Sequence, residues 1–256
     1  MCTCPQGCVV NPVNRNYLKY SSWELKYRYG WYGPWGLHAD VVPLGTYAQP
    51  TFDPNFVVKC DNWMYYLNNI MVTYGALALD WIGTAGAGGV CDNLPYHSTG
   101  RAFDLTAIMS QQGTVIDMNQ SWQDTQGHRR RYCAVAASAR IHFASGGVLT
   151  AGYPGGHENH IHVDDWNSWN PLNTASGADR LLMRRFCKEF NGSSIPVNTN
   201  AWDAASTNAF NALLSTMKLQ CTSPTTNGWD SLGFLDLIVK NGMAGQPGSF
   251  YRGTCP

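Results

Sequence analysis

The segment His160-Ile-His162-Val-Asp164-Asp165 sets imidazoles and a carboxylate in alternation with aliphatic side chains. That period of two fits a strand, on which residues i and i+2 point to the same face. His160 and His162 then stand side by side on one face of a sheet. Two imidazoles are awkward to bury without polar partners, so this strand demands a polar centre beside it. A second segment, His97-Ser-Thr-Gly-Arg-Ala-Phe-Asp104, leads into the strand-like run AFDLTAIM (102–109).

The rest of the chain supplies a scaffold of mixed type. Residues 1–45 read as an irregular, cysteine-rich arm, with a turn-like WYGPWG (31–36) that covers a sheet edge or lines a groove. Met64, Leu67, Ile70, Met71 and Tyr74 recur at three- and four-residue steps, which predicts a helix over Asp61–Tyr74 ended by Gly75. ALALDWIG (76–83) reads as a strand and TAGAGG (84–89) as a loop, one that lacks the GK[ST] ending of a phosphate loop. MNQSWQDTQGHRRR (118–131) reads as a polar loop, CAVAASARIHF (133–143) as a helix, and GVLTAGY (147–153) as a strand before the histidine pair. The order predicts an α+β fold, with an antiparallel or mixed sheet and helices on one side. After a linker at 170–177, RLLMRRFCKEF (180–190), AASTNAFNALLSTMKL (204–219) and GFLDLIVKNG (233–242), closed by Gly242, read as three helices of a C-terminal unit over 178–256.

Composition narrows the partners. The 256 residues carry no formal net charge, so nothing points to nucleic acid, and no run is long and apolar enough for a membrane span. Nine cysteines are spread over the chain without paired CxxC spacing. They read as disulfides of a secreted protein, at most four bridges with one thiol left over. Cys187 and Cys221 flank two of the C-terminal helices, which makes them the first pair to expect.

His97, Asp104 and His162 make a plausible zinc set. Imidazole and carboxylate bind zinc at about 2.0–2.2 Å, and three protein ligands leave a fourth position for water. Zinc lowers the pKa of that water to about 7. Gly100 lets the chain turn between His97 and the strand bearing Asp104, and Ala102 lets the sheet pack closely there.

His97-x-x-Gly100-x-Ala102-x-Asp104 resembles the first zinc motif of the D-Ala-D-Ala carboxypeptidase, lysostaphin and Hedgehog superfamily. Gly156-His157-x-x-His160-x-His162-Val163 is similar to the second motif of its murein endopeptidase and extensin-like branches. The resemblance implies a Hedgehog/DD-peptidase-like fold, a zinc peptidase domain over 46–170, and hydrolysis of peptide bonds in bacterial peptidoglycan. It implies His97, Asp104 and His162 as zinc ligands and His160 as the group assisting water, with Glu158 the runner-up. Asn159 holds the place of a glutamate found in the dipeptidase branch, and the loop TAGAGG (84–89) before the first motif carries no arginine. Arg101 and His157 are therefore the expected substrate contacts, with Arg129, Arg130 and Arg131 as substitutes for Arg101. LLMRRFCKEFN and WDAASTNAFNALL resemble the helix-loop-helix of a peptidoglycan-binding domain; a helical cap on the catalytic domain is the other reading. Two further functions stay open on the sequence: a non-catalytic, zinc-bearing binding module of Hedgehog type, and a zinc amidase on the same polymer. The base beside the metal set favours an enzyme over the non-catalytic module.

Overall fold

The computed structural model describes residues 51–87, 95–165, 168–219 and 223–245, together with the backbone of short strands between Val13 and Tyr47. Those strands are β1 (Val13–Asn14), β2 (Tyr17–Leu18), β3 (Trp23–Tyr27), β4 (Tyr32–Gly33), β5 (Gly36–Leu37) and β6 (Thr46–Tyr47). Next come β7 (Thr51–Phe52), α1 (Pro54–Gly75), β8 (Leu79–Ala87), α2 (Pro95–Ser98), β9 (Ala102–Ser110) and β10 (Val115–Asp117). The chain continues through α3 (Gln126–His142), β11 (Val148–Leu149), β12 (Ile161–Asp164), α4 (Gly177–Asn191), α5 (Ala204–Thr216) and α6 (Gly228–Ala244). The fold is α+β. No helix of the described residues is long and apolar enough to cross a membrane.

β9 organises the main sheet, whose strand order is β11-β12-β9-β8-β3-β2. One edge of β9 pairs with β8. The other edge is shared: β12 takes Ala102–Leu105 and β10 takes Ala107–Met109. All of these pairings are antiparallel, while β3 adds to β8 in parallel. Strands of the N-terminal arm extend the main sheet beyond β8, through β3 and then β2, and within WYGPWG and Leu37 the strands β4 and β5 pair antiparallel with each other.

Several expected boundaries move. α1 starts earlier than the apolar period, at an Asp53 cap whose carboxylate accepts the N–H groups of Asn55 and Phe56, as an N-cap should. It runs through Gly75, and Ala76 takes the left-handed cap position at φ 51. The strand expected over 76–83 begins only at Leu79 and extends through Ala87, so Thr84–Ala87 of the expected loop belongs to β8; Gly88 and Gly89 lie outside the described residues. Register irregularities at Gly83/Thr84 and Thr84/Gly86 let this glycine-rich run stay paired. The polar loop 118–131 ends early, because α3 begins at Gln126. The strand expected over 147–153 shrinks to β11, where turns at Gly152, Gly155 and Gly156 take over with positive φ.

The core lies between the sheet and the helices. Trp63 of α1 is fully buried, donates its indole N–H to Ser138 Oγ at 2.8 Å, and meets Phe143 edge-on at 5.6 Å. Alanines 134, 136, 137 and 139 of α3 are all fully buried, so α3 is enclosed. Gly242 does not close α6, as the sequence suggested; Gly245 does, at φ 64. Gly242 instead lies against α3, where an added Cβ would come 2.5 Å from the Arg130 carbonyl oxygen and 2.7 Å from Ala134 Cβ. The smallest residue is what permits this helix contact.

The segment 170–173 is tied to α3 by a fully buried ion pair. Arg140 Nε reaches Asp179 Oδ1 at 2.9 Å. Its other donors go to the carbonyls of Phe143, Asn170 and Pro171. Asp179 also accepts Ser145 Oγ–H and the Asn173 N–H. Cys133 and Cys187 carry free, buried thiols, the latter with a pKa pushed up to about 12 by burial. Cys187 packs inside the core on α4, and Cys221, its expected disulfide partner, lies outside the described residues. Cys2, Cys4, Cys8, Cys91, Cys221 and Cys255 lie outside the described residues.

The α3–α6 contact gives a direct test. Gly242→Ala should lower stability by about 1–3 kcal/mol, the usual cost of overpacking. Gly127→Ala, on α3 with nothing within 4 Å of the added carbon, should cause no loss. Urea unfolding of the two variants measures the difference.

Candidate metal centre

Asp104 and His162 are direct partners in the β9–β12 register. Cross-strand partners hold their Cβ atoms about 4.5–5.5 Å apart on one face, and here His162 Nδ1 lies 2.8 Å from Asp104 Oδ1. His97 arrives from α2. Gly100 takes φ +70 and closes the turn, with its N–H donating to the His97 carbonyl at 3.0 Å. This sets His97 Nε2 3.3 Å from Asp104 Oδ2. Ala102 is fully buried beside Asp164 in the ladder. The tight turn and the small residue have the roles that the sequence assigned to them.

The donor atoms of His97, Asp104 and His162 lie within 4.8 Å of one another. Donors at about 2.1 Å from a tetrahedral ion stand about 3.4 Å apart, so this set fits a divalent cation with little adjustment. His157, His160 and His162 form a second group with the same closeness. The groups share His162 and meet at one centre, since His160 Nε2 is only 3.6 Å from Asp104 Oδ1.

The charge states follow from these contacts. Burial alone would raise the pKa of Asp104. Hydrogen bonds from His162 and His97, with the charge of His160, hold it well below the usual carboxylate range instead. Burial likewise disfavours a charged His162, but Asp104 and Asp164 outweigh that and raise its pKa to about 9. His160 is lowered, chiefly by burial. His157 falls to about 4, again by burial first and then by His160 and His162. The centre thus keeps one carboxylate ionised and at least two imidazoles neutral, with lone pairs to offer.

The residues around the histidines are held from several sides. His160 Nδ1 lies 2.7 Å from Asn159 Oδ1, which fits an Nδ1–H donor and leaves Nε2 facing the centre. His157 packs against His160 at 5.1 Å between ring centroids, and its Nδ1 is buried with no hydrogen-bond partner among the described residues. Glu158 is exposed on the turn before β12, not on the strand. Its carbonyl accepts the Trp122 indole N–H at 2.8 Å. Arg101 is turned to Asp165, donating to its carboxylate at 2.7 Å and to its carbonyl at 2.8 Å. Arg129 and Arg130 bind Glu189 on α4, and Arg131 lies near Gly245. The structure gathers the four histidines and Asp104, and sets Arg101, Arg129 and Arg130 to other partners. Sequence reading missed Asn159, Trp122 and Asp164 as supports. Only Asn159 and Asp164 had a sequence signal, their places beside the histidines.

Ala at His97, Asp104 or His162 should abolish tight binding of one zinc ion per chain, because two remaining ligands hold zinc poorly; elemental analysis reads this. Proton and metal compete for His162. Its pKa is raised in the metal-free fold, so its proton is bound below about 9 and lost above. Apparent zinc affinity should therefore climb as pH rises toward about 9, with proton release, which calorimetry in buffers of different ionisation enthalpy can measure.

Residues 87–172 match the family model described as the extensin-like protein C-terminus. The match takes in both histidine segments and β9 to β12, and it leaves α4, α5 and α6 outside. No curated protein and no solved structure matches the chain. The chain is thus similar to the extensin-like C-terminus through the part that carries the candidate centre.

Proposed function

We propose that the protein is a secreted zinc peptidase acting on the peptides of bacterial peptidoglycan, with the Hedgehog/DD-peptidase fold. The observation that carries this reading is the convergence of His97, Asp104 and His162 with a neutral His160 beside them. The similarity to an extensin-like domain over the same residues supports it. A catalytic site needs a cation site with a base next to it, and a structural site does not.

Zinc in such a set supplies Lewis acidity and a more acidic water. The protein's own residues divide the remaining work. Asp104, held ionised, contributes the negative charge that balances the cation. His97 and His162 offer imidazole nitrogens from a turn and from a strand. His160 Nε2, with its lone pair toward the centre, accepts the proton of the attacking water, while Asn159 fixes the ring through Nδ1. His157 packs beside His160 and His162 and can donate to a developing negative charge on the substrate. Glu158, exposed on its turn, is placed to meet substrate from outside. Arg101 can serve a substrate carboxylate only by leaving Asp165.

Digestion of purified peptidoglycan, with mass spectrometry of the released ends, tests the reading. New peptide termini support it. Cleavage between sugar and peptide assigns an amidase, and an unchanged polymer at full zinc loading assigns a non-catalytic zinc-bearing module. His160→Ala should keep its zinc and lose about 10²–10⁴-fold in turnover, the usual worth of a general base. Near-normal activity in that variant with a dead Glu158→Gln would move the base to Glu158.

A further inference from the structure

The edge of the His162 ring turned away from Asp104 faces a second carboxylate. Nδ1 lies 2.8 Å from Asp104 Oδ1, and Nε2 lies 3.3 Å from Asp164 Oδ2. Asp164 and His162 are only 5% and 6% exposed. They stand two residues apart on β12, hence on one face. We infer that Asp164 is the positioning residue of the centre: it accepts the Nε2 proton of His162 and so fixes the tautomer that leaves Nδ1 free toward Asp104 and His97.

The inference rests on the metal-centre reading above. A neutral imidazole carries one proton, and the nitrogen that faces an acceptor keeps it. When Asp104 and Nδ1 both serve a cation, Asp164 is the acceptor that remains for the ring proton. Outer carboxylates of this kind orient a ligating imidazole and raise its basicity.

The surroundings of Asp164 are built to hold it. Its N–H donates to the Gly147 carbonyl at 2.9 Å, and its backbone pairs with Ala102. An added Cβ at Gly147 would come 2.7 Å from the Asp164 carbonyl oxygen and 3.1 Å from Oδ1. Only glycine lets the chain entering β11 lie this close against the carboxylate. The neighbouring acid is sent elsewhere: Asp165 takes Arg101 at 2.7 Å and Lys59 at 3.3 Å. The adjacent aspartates therefore have separate duties, one toward the histidine and one toward the surface cations.

The test uses the full chain and zinc itself. Chelator competition should show that Asp164→Ala binds zinc about 10–100-fold more weakly than the unsubstituted protein, with circular dichroism unchanged. Asp164→Asn, whose amide oxygen still accepts, should recover most of the loss. A second measurement needs no variant: nitrogen-15 histidine spectra of the zinc-loaded protein should show the His162 proton on Nε2. A proton on Nδ1, or unchanged affinity in Asp164→Ala, overturns the inference alone. A protein that takes up no zinc at all overturns the metal centre and the inference with it.

Discussion

Asp104 and His162 face each other across one step of an antiparallel ladder, and the whole candidate centre depends on that register holding. A slip of one residue would turn His162 and Asp164 to the far face and bring Ile161 or Val163 to the centre. Several features pin the register. β9 is gripped on both edges, by β8 on one side and by β12 and β10 in succession on the other. Ile161 and Val163 are fully buried on the opposite face, so the apolar core resists the slip as strongly as the polar centre does. The same alternation that makes the strand legible makes it stable in one register.

The turn before β12 has no ladder to hold it, and side chains do this instead. Trp122 donates to the Glu158 carbonyl, while Arg185 of α4 donates to the Ala151 and Trp122 carbonyls and lies over the rings of Trp122 and Tyr132. Tyr132 in turn receives the Ala151 N–H. A cation between two aromatic faces is favourable and geometrically demanding. The position of His157 and Glu158 is thus set partly by α4, which lies outside the stretch similar to the extensin-like domain.

The centre was more legible in the sequence than its supports were. His160 and His162 declared themselves by spacing, His97 and Gly100 by a turn that needs a positive φ, and Asp104 by its place on a strand. These are local properties. Trp122 and Arg185 act through partners distant in sequence, of which spacing carries no record, while the spacing of Asp164 shows its face but not its hydrogen bond, which depends on the orientation of the His162 ring. The same reason explains the fold errors. Gly242 looks like a helix stop because glycine usually is one, yet its purpose is a contact with Arg130 more than a hundred residues away. Gln126–Arg131 looks like loop because it is polar, but Arg129 and Arg130 gain Glu189 as a partner only once α4 is in place. β8 continues through a glycine-rich run because β9 supplies the pairing that the run's own propensity does not.

The buried Arg140–Asp179 pair bears on how such a chain can be divided. Arg140 belongs to α3 and Asp179 to α4, and between them the pair takes the carbonyls of Asn170 and Pro171 and the N–H of Asn173. Losing one member of a buried pair typically costs about 3–5 kcal/mol, because the other is left charged and unmatched. A cut after residue 170 would leave a guanidinium stranded in an apolar interior. Recombination or gene fusion at this junction would therefore succeed only where the incoming segment brings its own buried acid to the same place, which makes the helices a poor interchangeable part.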